Sequence, residues 1–277
     1  MTARRIFRNI NFTIGFCITL AIVLTAIVSA GYTPYPPNRM NLSARFQGPD
    51  GSHWFGTDQY GRDIFSRVMK GAINSITVGI VAVSIGMVLG ILLGSLAAFY
   101  RGWVDETIMR VSDILYGFPA VLSAILITSL LGPGIMNSMI AIGIFNIPIF
   151  ARLTRATSLS VWERDFVTSA KAIGRTNSGI IGEYILPNIL SPLIVQATVQ
   201  FAIAILAEAG LSYLGLGTQP PHASWGRMLN EAQTFMSTSP WLAVFPGCAI
   251  ALAVLGFNLL GDGLRDILDP RTSRTRV

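Results

Sequence analysis

Charge is scarce in this chain. Only 12% of its 277 residues are Asp, Glu, Lys or Arg, about half the share of an ordinary soluble domain. Cysteine is nearly absent: Cys17 and Cys248 are the only two, neither in a C-x-x-C, and both fall within apolar stretches near opposite membrane faces. A disulfide framework is therefore excluded, and two small buried hydrophobes are expected. The two histidines, His53 and His222, have no partner ligand near them in sequence. That excludes a metal site. No glycine-rich phosphate cradle occurs, and the spans hold no H-E-x-x-H, Ser–His or paired-Asp signal, so neither ATP hydrolysis nor intramembrane proteolysis has residues to act through. The net charge of +6 comes without any basic run longer than two residues, which argues against nucleic acid. No cofactor is implied.

Apolar sequence is what the chain has instead: 52% of residues are hydrophobic. A water-facing globule of this size cannot hide that much, so the solvent is lipid. Ile10–Ala30 and Gly71–Tyr100 are uncharged and long enough to span a bilayer, which takes about 20 residues. Ile114–Ala151 is too long for one crossing, and "GPG" at 132–134 divides it into a hairpin. Asn188–Leu211 and Trp241–Gly261 complete an all-α, polytopic protein of six transmembrane helices. With both termini in the cytoplasm, fourteen of the twenty Lys and Arg residues lie inside, as the positive-inside rule requires. The early arginines and "VSA" at 28–30 imitate a secretory signal, but the apolar core exceeds the roughly 7–15 residues of such a signal. A retained first helix is expected.

Several features invite functional readings. Gly86, Gly90 and Gly94 form a small-residue row on the second span, suited equally to internal packing or to a seam with a second membrane subunit. "FGTDQYGRDIFSR" at 55–67 reads as a turn and a short amphipathic helix on the outer surface, with Thr57 or Asp58 as its cap and an Asp63–Arg67 pair. "LSYLGLGTQPPHASWGRML" at 211–229 is irregular backbone, allowed at membrane depth only against protein or a water-filled cavity. Glu208, the one acid deep in an apolar run, suits either a place on a transport pathway or a reach to the outer interface. Arg110 and Asp113, one turn apart, are expected to pair, as are Arg265 and Asp269.

The polar segment Ser160–Pro187 carries the most information. Ser160-x-x-Glu163 fits a capping box and marks a helix start. Phe166, Val167, Ala170 and Ile173 make an apolar stripe of helical period, and Gly174 can close that helix in the left-handed region. Asn177 or Ser178 can cap a second short helix leading to "YILP". The stripe is too short to insert in lipid, so it covers either the protein's own helix ends or a partner.

That segment resembles the cytoplasmic "EAA" loop of the permeases of binding-protein-dependent ABC importers, E-A-A-x3-G-x9-I-x-L-P. Ala170, Gly174, Leu186 and Pro187 match it, while Thr168, Ser169 and Tyr184 depart. "GTDQYGRDIFSR", "YLGLGTQPPHASWGRML" and "FNLLGDGLRDILDPR" resemble recurring blocks of the peptide/nickel/opine branch. The resemblance, which covers nearly the whole chain, implies the type I importer permease fold and localisation in the bacterial inner membrane. It further implies pairing with a homologous permease, two cytoplasmic ATP-binding subunits and an external substrate-binding protein. Residues 1–70 would hold the first helix and external loop, and 71–277 a five-helix core with coupling loop 152–187. On this reading Phe166, Ala170, Gly174, Leu186 and Pro187 serve coupling to the ATPase, with peptide the expected cargo ahead of nickel chelates or opines. The rival is an ion-coupled secondary transporter, for which no clear internal repeat speaks.

Overall fold

The computed structural model describes residues 9–268, and ten α-helices account for most of them. They are α1 (Ile10–Gly31), α2 (Ile64–Tyr100), α3 (Gly102–Gly117), α4 (Ala120–Leu131) and α5 (Ile135–Trp162). After them come α6 (Asp165–Ala172), α7 (Asn177–Ile180), α8 (Leu186–Tyr213), α9 (Trp225–Ala232) and α10 (Trp241–Leu268). Five continuous helical stretches are long and apolar enough to cross a membrane, and α3 with α4, bent by 88° to each other, makes a sixth when the pair is counted as one span. The bend has a local cause. Pro119 disfavours helix in the residue before it, and Phe118 is extended at φ −91°, ψ 138°. At 12 residues, α4 is about 18 Å long, too short to span alone.

Two contacts show which helix ends and turns share a side. The Asn9 side-chain amide donates to Asp266 at 3.0 Å, joining the start of α1 to the end of α10. The Gly134 amide donates to the Leu216 carbonyl at 3.0 Å, so the α4–α5 turn shares a side with the loop after α8.

Helix α2 begins seven residues before the expected start of the second span. Asp63 caps it, accepting from the Ser66 amide at 2.8 Å. Residues 55–67 therefore form no separate surface helix; the first turns of α2 continue the span outward, where protein replaces lipid. The Asp63–Arg67 pair is not made either. Asp63 faces His53 at 2.8 Å, and Arg67 turns to Glu231 at 3.2 Å. At the inner end, Arg110 pairs with Glu106 rather than Asp113, and Asp113 takes Arg152 from α5 at 2.6 Å. The expected Arg265–Asp269 pair lies outside the described residues.

Small residues hold the helices together where lipid supplies no hydrophobic drive. A Cβ at Gly86 would overlap Asn146, one at Gly90 would overlap Phe150, and one at Gly94 the Ala151 carbonyl. The whole row thus packs on α5, inside the chain. The first and last spans cross the same way: Gly15 sits against the backbone of Leu259 and Leu260, and Gly263 against that of Phe12. Cys17 and Cys248 are exposed rather than buried. Both lie on apolar helices whose outer faces meet lipid, which accepts a thiol as readily as a core does.

Candidate functional site

On the cytoplasmic side, α5 runs on to Trp162, so Ser160 lies within its last turn and starts no helix. Burial explains why the capping-box signal lost. Val161 is enclosed by the core, and Trp162 meets Phe99 edge-on at 5.9 Å. Those contacts hold the last turn in helix, and α6 begins only at Asp165 after a break at Glu163–Arg164.

Helix α6 closes as the sequence predicts. Gly174 has φ +81°, its amide donates to the Lys171 carbonyl at 3.0 Å, and the Arg175 amide reaches back to Ala170 at 3.1 Å. These are the two bonds of a Schellman cap. No atom lies within 4 Å of a Cβ added to Gly174, so the glycine answers a backbone need and not crowding. Thr176, not Asn177 or Ser178, caps α7 by accepting from the Gly179 amide at 3.3 Å. A π-helical turn, Ile181–Ile185, then leads into α8. Proline 187 has no N–H to extend the preceding ladder, and the Asn188 side chain satisfies the Tyr184 carbonyl at 2.7 Å.

The loop has two faces. Val167, Ala170, Ile180 and Ile185 are buried in one core cluster with Val161 and Ile189. Half of the apolar stripe thus covers the protein's own helix ends. The other half stays exposed: Ile173 is 77% exposed and Phe166 is 37% exposed, its ring stacked at 6.3 Å on Tyr184. Of the residues singled out in the sequence, Phe166, Gly174 and Pro187 lie on the outer face, Ala170 is buried and Leu186 is half-buried. Lys171 covers Trp162 at 4.4 Å, and Arg175 bridges to Glu183 at 2.8 Å.

At the outer end the irregular segment 214–224 forms a strap across several helices. Glu208 lies beneath it, fully buried by its own chain. Its carboxyl accepts from Ser212 Oγ at 2.6 Å, Thr218 Oγ1 at 3.2 Å and Ser75 Oγ at 3.3 Å. Beside it stands a cluster that no sequence pattern revealed. Arg62 bonds Asp58 at 2.5 Å and Glu231 at 2.6 Å, Arg67 reaches Glu231 at 3.2 Å, and Arg227 reaches Glu231 at 3.3 Å. Trp225 locks α9 to α2, its indole N–H donating to the Val68 carbonyl at 2.9 Å. Among the described residues no group of three or more His, Cys, Asp or Glu side chains could hold a metal ion.

Residues 86–274 match the family described as binding-protein-dependent transport system inner membrane component. The chain belongs to this family. The permease is 47% identical over 258 residues to the dipeptide transport system permease protein DppC of Alkalihalophilus pseudofirmus, covering 93% of this chain and 85% of that protein. It is 45% identical to a putative peptide transport system permease protein of Brucella abortus, covering 98% and 91%. It is also 47% identical to the glutathione transport system permease protein GsiD of Escherichia coli, covering 91% and 84%. Among solved structures, the MetNI methionine ABC transporter in an inward-facing conformation aligns at a TM-score of 0.63 and 15% identity, over 74% of the permease and 98% of the matched chain. That likeness extends to the fold. The permease is therefore a multi-pass inner-membrane subunit of an ABC importer that catalyses no reaction itself.

Proposed function

We propose that the permease forms one half of a translocation pathway for peptides and passes the work of ATP hydrolysis to that pathway through the outer face of its 165–187 loop. A homologous permease supplies the other half. Two ATP-binding subunits dock from the cytoplasm, and an external binding protein delivers the cargo. Residues 71–277 are the working core, and residues 1–70 add the first helix and an outer platform. Peptide is the cargo class because the relatives at 45–47% identity are named for dipeptide, peptide and glutathione transport.

The observation that carries the coupling role is the loop's division into an anchored face and an open one. Val167, Ala170 and Ile180 fix its position on the core. Phe166 and Ile173 leave apolar surface exposed. Such surface, set on a rigid base, suits a groove on a partner subunit.

A cysteine at Ile173, in a background lacking Cys17 and Cys248 and carrying a thiol-linked photocrosslinker, tests this. Illumination of the assembled transporter is expected to give an adduct with an ATP-binding subunit. Adducts with lipid alone would contradict the docking role. Uptake competed by dipeptides, and not by nickel chelates or opines, is the expected result for the cargo.

A further inference from the structure

Glu208 is the buried ionisable group for which transport by the permease gives no immediate use. Its surroundings show what it does. Among the described residues no cation pairs with the carboxyl; its partners are four hydroxyls from separate places in the chain, one of them Ser224 at the start of α9. Ser212 is one turn further along α8, Thr218 lies in the strap, and Ser75 is on α2, 133 residues away in sequence. The Ser212 hydroxyl works twice, accepting from the Thr218 amide at 2.9 Å while donating to Glu208. One carboxyl therefore fixes both the side chain and the main chain of Thr218.

The strap in turn reaches two neighbouring outer elements, and the residue just before it a third. Its Leu216 carbonyl accepts from Gly134 at the α4–α5 turn. Its Ala223 carbonyl accepts from Asn74 on α2 at 2.6 Å. The Tyr213 carbonyl just before it accepts from Asn230 on α9 at 2.7 Å. The strap has no regular ladder; amides of Gly215, Leu216 and Gly217 tie its first turn to the end of α8, and these scattered bonds set its course from there across the neighbouring helices.

We propose that Glu208 is a positioning residue for transport: it holds the 214–224 strap across the outer ends of α2, α5 and α8, and so couples the α4–α5 hairpin to the rest of the outer face. It acts as a hydrogen-bond acceptor beneath the strap, not as a group that meets cargo or relays a proton. Alternating access requires the outer ends of the spans to move together, and the strap is what ties them.

Glutamine and leucine separate these roles. In Glu208→Gln the amide oxygen still accepts from Ser212 and Thr218, and the amide N–H can donate to Ser75. In Glu208→Leu the volume is similar, but four buried hydroxyls lose their acceptor. The reporter is Ala223→Cys, at a buried strap position, in a background lacking Cys17 and Cys248. Impermeant maleimide is applied to spheroplasts carrying the assembled transporter, and ATP hydrolysis with and without loaded binding protein is measured after reconstitution. Glu208→Leu is expected to label about tenfold faster or more, the scale of one lost buried hydrogen bond, and to lose most of the stimulation by binding protein. Glu208→Gln is expected to stay within about twofold of the parent in both measurements, well inside that scale. Parent-rate labelling in Glu208→Leu would overturn the proposal. So would a Glu208→Gln variant as impaired as leucine, because the carboxyl's charge or proton would then be what matters. If Glu208→Leu does not accumulate, Thr218→Val removes one hydroxyl at constant shape; faster labelling supports the brace and parent-rate labelling contradicts it.

Discussion

At the outer end of the permease, Arg67 and Glu231 bond with side chains only 2% and 14% exposed; at the inner end, Arg175 and Glu183 bond with both side chains 49% exposed. The lengths, 3.2 and 2.8 Å, would rank them the other way. Surroundings decide their worth. A solvated pair contributes about 0–1 kcal/mol. Removing one member of a buried pair costs about 3–5 kcal/mol, because the other charge is left without water or partner. At the outer end the clustered charges of Asp58, Arg62, Arg67, Arg227 and Glu231, and the Glu208 carboxyl, find their partners within the chain. The inner loop is anchored on one side and open on the other, with apolar surface still to be covered. A region complete in itself suits a platform, and an incomplete one suits an interface.

The largest effect should come from breaking the outer cluster. Glu231→Ala leaves the buried guanidiniums of Arg62 and Arg67 short of a shared acceptor and is expected to cost about 3–5 kcal/mol. The observable is a sharp fall in the amount of folded permease in the membrane, or in its melting temperature in detergent. A melting temperature equal to wild type would show that the cluster is hydrated and that the two ends are alike.

Next is the helix seam. Gly90→Leu drives a side chain into Phe150 and Ala151 on α5 and should prevent accumulation of the permease. Leucine at Leu89, which already faces outward, shows that the same side chain is harmless toward lipid one position away. Normal assembly of Gly90→Leu would mean that α2 and α5 do not hold this contact.

The smallest effect is expected from Arg175→Ala. Its pair with Glu183 is solvated, so stability should change by less than about 1 kcal/mol, read as an unchanged melting temperature. A large loss would make the inner loop as self-braced as the outer face.

The parts legible in the sequence were those with local causes. Span positions followed from runs of apolar residues, the hairpin break from "GPG", and the end of α6 from Gly174. The bend at Gly117–Pro119 was missed because Phe118-Pro119 sits within a continuous apolar run, and counting hydrophobicity overlooks a proline's effect on the residue before it. The capping box at Ser160 misled because burial of Val161 outweighs a cap worth about 1 kcal/mol. The outer cluster and the Glu208 brace could not be read at all. Arg67 and Glu231 are 164 residues apart, and only the packing of α9 on α2 brings them together. Polar residues in such places look like ordinary loop chemistry until the fold supplies their partners.

The central claim, that the open face of the inner loop carries the coupling, is tested most directly at Gly174. This residue sits at φ +81° in open space, so valine there adds only backbone strain, about 1–2 kcal/mol. That is enough to reorient α6 while the spans and the outer face stay as they are. The measurement is ATP hydrolysis by the reconstituted transporter with and without loaded binding protein. Gly174→Val is expected to reach the membrane in normal amounts yet lose stimulation, with Gly174→Ala milder because its Cβ is unbranched. Full stimulation in Gly174→Val would contradict the account.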